Sequence, residues 1–381
     1  QPNDTINTYT YYSTIHNDAV NTHGSGRIWV GDKFSNAVPN RSYSISIPNA
    51  IPNSNVSVRY ALASISNANS SFDVSINGTT LKHTFSTGYR YPYQGLYCTT
   101  KPSSSSKCEI SINYSPRESL ASGYLDYIEV NAPAKLIFSD GQLKFRKAPD
   151  INDSSVNLFE ISNTSSSVRV WNVSDPCNVT ELNATYHNGK TMFLDSVNDI
   201  AEWIAFDGST YYSPVSLTPI DNQNLHGMPQ PDYIIVAPPV FTEQAERLAQ
   251  LHRLHSGLDV AVVTPEEIYN EFSSGKQDAM AIRRFLKMLY DRALSNEILK
   301  APKYLLLFGK AIYDNKNIGN TDIPYVVSYQ SETSFDDEGS SYTSDDMFGY
   351  LGDWETGSIY ESIDVGIGRF PVKNASEAKT M

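Results

Sequence analysis

Three apolar stretches decide the fold of the second half of the chain: 232-DYIIVAP-238, 258-LDVAVVT-264 and 303-KYLLLFG-309. Each has the length of a β-strand and lacks a polar face, which is typical of strands buried on both sides. Segments with helical character separate them, and 362-SIDVGIGRFPV-372 has the features of a fourth strand. Strands that alternate with helices predict an α/β fold with a mainly parallel sheet and right-handed crossovers.

Capping residues mark the helix ends in this region. Thr264, Pro265 and Glu267 together predict a helix start with a capping box, and Gly257 predicts the end of the preceding helix. Asp278 is suited to cap a further helix. The apolar stripe of that helix, at the i, i+3, i+4 and i+7 spacing of one helix face, consists of Ile282, Phe285, Leu286 and Leu289.

The first half of the chain has a different pattern. Short runs of alternating apolar and polar residues follow one another at spacings near ten residues, divided by Asn, Gly, Pro and Ser. This pattern predicts an all-β domain, an antiparallel sandwich with a jelly-roll-like arrangement. The runs are 27-RIWVGDKF-34, 42-SYSISIP-48, 56-VSVRYALASIS-66, 72-FDVSING-78, 108-CEISINY-114, 124-YLDYIEV-130 and 141-GQLKFRK-147.

The domain organisation follows from these changes of pattern. Further alternating runs, including 156-VNLFEIS-162 and 201-AEWIAFD-207, predict a second β module, and the segment 213-SPVSLTPIDNQNLHGMPQP-231 without periodicity is interpreted as a linker. We therefore expect a β-sandwich domain over residues 1–147, a second β module with the linker over 148–228, and an α/β subdomain over 229–381.

Charge and composition exclude some classes of partner. The 381 residues carry a formal net charge of −13. A nucleic-acid partner is not expected, because phosphate binding needs a basic patch and no basic run here exceeds two residues. No apolar run approaches the length of about 18 residues that a membrane span needs. A signal peptide is not visible, and a first residue Gln1 instead of Met suggests a processed or trimmed start.

The three cysteines lie in the β-rich part. Cys98 and Cys108 flank the turn-forming insert 99-TTKPSSSSK-107, which makes a hairpin disulfide between them plausible, with a reduced pair as the alternative. Cys177 is interpreted as a half-buried structural thiol and not as a nucleophile, because no His or helix start is close to it in the sequence.

Two groups of residues are candidate metal ligands. Asp345, Asp346 and Asp353 lie in the acidic stretch 335-FDDEGSSYTSDDMFGYLGD-353, and carboxylates in such a loop are the hard oxygen ligands that calcium takes. The spacing is not that of an EF-hand, and a solvated acidic loop is the alternative. His252 and His255, three apart on a predicted helix, are better explained as a solvated pair, because a third ligand is not evident.

Nucleophilic catalysis finds no support in the α/β region of this chain. That region contains no cysteine, and its serines have no GxSxG context. The two glycines of 365-VGIGRF-370 lie within a predicted strand, so they do not indicate a phosphate loop.

The order of several phrases resembles a known family. EEIYNEFSSGKQD, LLLFG, SDD and IGRFPV, in this order within residues 230–381, are similar to the first half of the catalytic domain of gingipain-type cysteine peptidases. The preceding phrases RVWNVSDP and WIAFD resemble the PorU-type sortases of the type IX secretion system.

The resemblance implies a caspase-like α/β fold in two subdomains and a cysteine endopeptidase or transpeptidase without a required cofactor. In this family the catalytic His and Cys lie in the second subdomain, after the segment equivalent to IGRFPV, so no residue up to Met381 is assigned a catalytic role. The last helix is expected to begin at Asn374 or Ser376, and an N-terminal fragment of this kind is expected to be inactive alone. Lys310 departs from relatives that often have an acidic residue there.

The resemblance also implies partners and a location. The substrates would be exported proteins with C-terminal signal domains, other surface components of the secretion machinery would be partners, and the location would be the bacterial outer-membrane surface. An alternative is a cell-surface glycan- or protein-binding β-sandwich protein with a degenerate α/β domain, which would bind through Tyr89, Tyr91 and Tyr93. The sequons at Asn40, Asn77 and Asn172 leave a eukaryotic secreted glycoprotein as a third interpretation.

Overall fold

The computed structural model divides the chain into two compact units. The β unit consists of Gln1–Asp18 and Val30–Leu217, and the α/β unit consists of Ala19–Trp29 and Thr218–Met381. A short N-terminal segment thus belongs to the α/β unit. The structure describes residues 4–86, 93–100, 106–147, 156–197, 199–335, 341–353, 355 and 361–381.

Two antiparallel sheets form the first sandwich of the β unit. The alternating runs pack their apolar side chains between these sheets, and Val58, Phe72, Ile112 and Ile128 are almost completely buried there. One sheet contains β2 (Thr8–His16), β3 (Lys33–Phe34), β5 (Val56–Ile65), β8 (Tyr93–Thr100) and β10 (Ser122–Lys135), in the order β2-β10-β5-β8 with β3 on β10. The other contains β4 (Asn40–Ser46), β6 (Ser70–Ile76), β7 (Thr79–Phe85) and β9 (Lys107–Ser115), in the order β4-β9-β6-β7.

A second pair of sheets has its own aromatic core. Trp203 is fully buried and contacts Phe159 and Phe145, with ring centroids 4.8 and 5.4 Å away. The first sheet has the order β1-β12-β16-β15, from β1 (Thr5–Ile6), β12 (Val156–Ser162), β16 (Lys190–Ser196) and β15 (Thr185–His187). The second has the order β11-β17-β13-β14, from β11 (Gln142–Lys147), β17 (Ala201–Phe206), β13 (Arg169–Asn172) and β14 (Thr180–Glu181). The pairing of β1 with β12 and that of β11 with β17 therefore both cross the boundary predicted at residue 147.

The predicted Cys98–Cys108 disulfide is absent, and its premise of a hairpin is wrong. Cys98 lies in β8 and Cys108 in β9, and these strands belong to opposite sheets of the first sandwich. Both thiols are free and buried in the core. The prediction that Cys177 is half-buried is wrong, because it lies free and exposed in the turn that follows β13. Burial raises the pKa of the Cys108 thiol to about 11, which keeps it protonated and inert near neutral pH.

The α/β unit contains the predicted parallel sheet. The order is β19-β18-β20-β23, and all three pairings are parallel. Together with the β-rich first half, this sheet confirms the predicted fold class. The strands are β18 (Tyr233–Val236), β19 (Val260–Val263), β20 (Tyr304–Phe308) and β23 (Gly366–Phe370), and a small antiparallel pair is formed by β21 (Tyr329–Gln330) and β22 (Thr343–Ser344).

The helices begin and end where the capping residues predicted. Thr264 and Glu267 form both hydrogen bonds of a capping box before α2 (Pro265–Phe272). Asp278 accepts a hydrogen bond from the Met280 N–H at the start of α3 (Ala279–Leu294), and Asn374 caps α4 (Ala375–Thr380). Helix α1 (Thr242–His255) ends just before Gly257, whose φ of +64° is the left-handed conformation typical of a helix C-terminus.

Each face of the parallel sheet has its own helices. Ile234 and Val236 of β18 share a core with α2 and α3, whereas Ile235 and Ala237 share a core with α1 and α4. The period of two along a strand explains why neighbouring residues of one apolar run enter different cores. The predicted stripe of α3, namely Ile282, Phe285, Leu286 and Leu289, is fully buried.

One strand prediction is wrong. The run 27-RIWVGDKF-34 was expected to form a sandwich strand, but only Lys33–Phe34 is a strand, and Arg27–Trp29 belongs to the α/β unit. Gly24 and Gly26 have positive φ values of +66° and +76°, so the backbone before the run is turned and not extended. In the part of the chain that the structure describes, no helix is long and apolar enough to cross a membrane.

Candidate functional site

The carboxyl ends of the four parallel strands lie together at one edge of the sheet. These ends are Val236, Val263, Phe308 and Phe370. In open α/β sheets, ligands bind at this edge, because the loops that follow the strands converge there. The side chains at or just after the strand ends are therefore the candidates for a functional site.

Among the described side chains at this edge, Arg369, near the end of β23, forms the most hydrogen bonds. Its Nε and Nη2 donate to the two carboxylate oxygens of Asp345, each at 2.7 Å. Its Nη1 donates to the carbonyls of Gly309 and Val326 at 3.0 and 2.9 Å. A further bond from Nη2 reaches Ser328 Oγ at 3.0 Å. We call Arg369, Asp345 and these three acceptors the Arg369 clamp.

The Arg369 clamp joins four segments of the chain. It connects β23 to the end of β20, to the loop at residues 326–328, and to the short 3-10 helix Asp346–Phe348 through Asp345. The Arg369 side chain is only 11% exposed and that of Asp345 22%, so water competes weakly for these bonds. The guanidinium therefore fixes the loops at the edge, and it is not available as a ligand-binding cation.

The three predicted calcium ligands have different surroundings. Asp345 is engaged by both carboxylate oxygens in the Arg369 clamp. Asp346 is exposed at the start of the 3-10 helix, and Asp353 forms an exposed ion pair with Lys287 at 2.8 Å. The structure brings no three His, Cys, Asp or Glu side chains into a metal-binding group within its described residues. Asp336, Asp337 and Glu338 lie outside those residues, and the calcium site stays a prediction.

A pocket of about 380 Å³ lies at the ends of β18 and β19. Tyr269 of α2 and Gln277 line it, and burial raises the pKa of the Tyr269 hydroxyl, so this group stays protonated. Gln277 Nε2 and Oε1 both lie within hydrogen-bond distance of the Tyr325 hydroxyl, at 3.1 and 3.2 Å. The remaining lining residues are Pro238, Pro239, Val240, Pro265, Glu266, Ile323, Pro324 and Tyr325.

The segment Ala19–Trp29, which we call the strap, binds to the loops beyond β20. The Arg27 N–H donates to the Ser331 carbonyl at 2.9 Å, and the Gly26 N–H donates to Gln330 Oε1 at 3.2 Å. The Trp29 ring stacks on Tyr313 with a centroid distance of 5.9 Å and an interplanar angle of 13°. The strap is thus held by hydrogen bonds of its backbone N–H groups and by aromatic contacts, with an ion pair between Arg27 and Glu332 in addition.

This geometry can be compared with known proteins. Residues 226–381 match the model of peptidase family C25.

Family C25 is the gingipain family, so the resemblance expected from the sequence is confirmed. The dimeric latent PorU from Porphyromonas gingivalis, a crystal structure, is similar over 100% of this chain, with 26% identity and a TM-score of 0.86. The chain spans 38% of the length of that PorU chain. No curated protein sequence matches the chain.

A carbohydrate-binding module of family 36, solved with calcium and xylotriose, is similar to a smaller part. It covers 31% of this chain and 98% of its own, with 19% identity and a TM-score of 0.21. This similarity is too weak to support a conclusion about the β unit.

The C25 region of this chain has no thiol. All three cysteines lie before residue 226, so the family's nucleophile has no candidate in the matched residues. His252 and His255 are on α1, where His252 Nδ1 lies 3.2 Å from Ser256 Oγ and the His252 ring contacts Tyr233 edge to face. Lys310, the departure from relatives, is exposed, and its N–H donates to the Val372 carbonyl at 3.0 Å.

Sequence reasoning missed the strap and the Arg369 clamp. The clamp residues occur in two quoted phrases, SDD and IGRFPV, but the two phrases lie far apart in sequence and neither indicates the other as its partner. The strap carried one usable signal, the pair Gly24 and Gly26, which predicts a turn just before the run 27-RIWVGDKF-34.

Proposed function

We propose that this chain is the N-terminal part of a gingipain-like cysteine endopeptidase or sortase. The whole protein would cleave the C-terminal signal domains of exported proteins and anchor these proteins at the cell surface. The observation that supports this is the PorU-like fold over the entire chain, together with the C25 match over residues 226–381.

In this proposal the chain supplies the scaffold and not the reacting groups. The Arg369 clamp holds the loops at the carboxyl edge of the sheet, next to which a Cys and a His from elsewhere in the protein would act. The thiolate would attack the peptide carbonyl, the His would transfer the proton, and backbone N–H groups would stabilise the oxyanion. A sortase would pass the acyl group to an amine, and a protease would pass it to water.

Partners and location belong to the same proposal. The substrates would be exported proteins with C-terminal secretion signals, and the protein would work beside other surface components of the secretion machinery on the bacterial outer membrane. A cofactor is not required by thiol chemistry of this kind.

The test compares this chain with its complete parent protein. Each is incubated with an exported protein that carries its C-terminal signal domain, and cleavage is followed by mass spectrometry. We expect thiol-dependent cleavage by the parent protein, abolished by iodoacetamide, and no cleavage by the 381-residue chain. Turnover by the chain alone would contradict the proposal, as would a parent protein that stays active after its thiols are alkylated.

A second candidate function, binding of surface glycan by the β unit, is favoured by a pocket of about 410 Å³. Tyr9, Tyr11 and Tyr12 line it together with Arg146 and Glu202. The Arg146 guanidinium lies 4.2 Å from the centroid of the Tyr12 ring, which is 40% exposed. Rings with nearby charged and amide groups suit a sugar. The tyrosines of the earlier hypothesis, Tyr89 and Tyr91, and the side chain of Tyr93 lie outside the described residues.

Binding of surface polysaccharide to the chain would test this second function. We expect Tyr12→Ala to abolish binding if this pocket holds the glycan, whereas Tyr186→Ala, at an exposed tyrosine outside the pocket, should leave it unchanged. Equal binding by both variants would exclude the pocket.

A further inference from the structure

The strap closes a second, smaller pocket in the α/β unit, which we call the strap pocket. Its volume is about 220 Å³, below the range of about 300–1,000 Å³ typical for drug-sized ligands. The bound part of a ligand must therefore be small. The lining residues are Gly26, Arg27 and Trp29 of the strap, Lys276–Met280 before and at the start of α3, Tyr313, Asn315 and Lys316 after β20, and Tyr329 and Gln330.

Positive charge dominates the lining of the strap pocket. Arg27, Lys276 and Lys316 line it with a single acid, Asp278. The Asp278 carboxylate is already engaged, because it accepts from the Met280 N–H at 2.9 Å and pairs with Arg284 at 3.1 Å. A lining with more cations than acids is unexpected in a chain with a net charge of −13 and favours a negatively charged ligand.

The partner of Arg27 is easily replaced. Its ion pair with Glu332 measures 3.3 Å, and the Glu332 side chain is 87% exposed. An ion pair this exposed contributes little free energy, so a ligand carboxylate can take the place of Glu332 at small cost.

An apolar wall stands beside these polar groups. Trp29 is 7% exposed and stacks on Tyr313, an exposed large hydrophobic residue. The stack offers a small side chain a flat surface to contact.

We propose that the strap pocket binds the carboxyl-terminal residue of a peptide. The free carboxylate pairs with Arg27 and Lys276, and the terminal side chain packs against the Trp29–Tyr313 stack. This inference goes beyond the proposed function, because binding needs no catalytic residue and would persist in a chain without peptidase activity.

Titration calorimetry of the 381-residue chain with two matched peptides tests the proposal. N-acetyl-alanyl-alanine carries the free carboxylate, and its C-terminal carboxamide lacks only that charge. We expect the acid to bind at least about tenfold more tightly than the amide, the size of effect typical of a charge-assisted hydrogen bond. Lys276→Gln and Arg27→Gln should each weaken binding of the acid by a similar factor.

Lys300→Gln is the matched control, because Lys300 is an exposed lysine of the same unit outside the strap pocket. It should leave the affinity unchanged, and circular dichroism of every variant verifies the fold. Equal affinities for acid and amide, binding unaffected by Lys276→Gln, or no binding of either peptide would each overturn the proposal. Tighter binding of glucuronate than of the peptide acid would overturn it in favour of an acidic sugar. The result is independent of peptidase assays, so failure of the proposed function leaves this inference standing.

Discussion

Asp345 and Asp353 lie eight positions apart in one acidic stretch and pair with a cation each, yet they differ in every respect that determines stability. Asp345 binds a guanidinium that is 11% exposed and reaches three further acceptors, whereas the Asp353 carboxylate is 83% exposed beside a single lysine. The comparison teaches that the number of segments joined and the exclusion of water, and not the charge itself, decide what an ion pair contributes.

The largest effect is expected when the Arg369 clamp is broken. Asp345→Asn leaves a nearly buried guanidinium without its counter-charge, which costs about 3–5 kcal/mol of unfolding free energy. Arg369→Lys should be similarly harmful, because an ammonium group cannot reproduce the planar fork that bonds both carboxylate oxygens. The measurement is chemical denaturation followed by the helical circular dichroism signal, since helices α1–α4 all lie in the α/β unit.

A contrary result would be informative. If Asp345→Asn lowers the free energy of unfolding no more than Asp353→Asn does, burial does not decide the strength of these two ion pairs.

Two glycines of the strap allow a similar comparison between a tightly packed position and an open one. An added Cβ at Gly26 would lie 2.1 Å from the Thr333 carbonyl oxygen, whereas at Gly24 the nearest atom would be 4.0 Å away. Both residues have positive φ, so both alanine variants carry the backbone strain of about 1–2 kcal/mol, but only Gly26→Ala adds a clash with backbone. We expect the free energy of unfolding to fall by about 3 kcal/mol in Gly26→Ala and by about 1 kcal/mol in Gly24→Ala.

Thermal unfolding monitored by circular dichroism measures both variants. Equal losses would show that the strap is not held as tightly as the hydrogen bonds of Arg27 and Gly26 indicate.

Glu271 is at least as buried as Asp345, with 14% of its side chain exposed, but it joins only two segments. Burial alone would raise its pKa, but hydrogen bonds from Gln223, the Leu225 N–H and His226 outweigh burial and lower the pKa from 4.5 to about 2. A lowered pKa in the folded state stabilises the fold above the unfolded pKa of about 4.5, and this contribution is lost as pH falls towards about 2.

The variant Glu271→Gln removes this titration. We expect a loss of about 2 kcal/mol near neutral pH, and a difference from the natural chain that shrinks between about pH 4.5 and pH 2. Denaturation curves at a series of pH values give the difference directly. A difference that is constant across this range would mean that the carboxylate of Glu271 is not held by its three partners.

Local signals in the sequence predicted the elements of the α/β unit well. Helix caps and buried strands depend on residues that are close together in sequence. The structure confirmed the capping box at Thr264, the cap at Asp278 and the strands predicted from the apolar runs of β18 and β20. Contacts between distant segments were not predictable. The Arg369 clamp joins residues that are 24–60 positions apart, and the strap joins residues about 300 apart. The spacing of Cys98 and Cys108 led to the wrong prediction of a hairpin disulfide, because the two residues lie on strands of different sheets.

The smallest effect is expected at Asp353. Asp353→Asn removes an exposed ion pair with Lys287, which keeps a second partner in Asp291 at 2.9 Å, so the loss should be below about 0.5 kcal/mol. The pairing does raise the pKa of Lys287, chiefly through its hydrogen bond to Asp353, but the ammonium is charged at neutral pH with or without it. Repeating the denaturation with calcium and with a chelator tests the predicted calcium site as well. A calcium site that uses Asp353 would stabilise the natural chain in calcium but not the variant, and it would turn the weaker of the two pairs into the more important one.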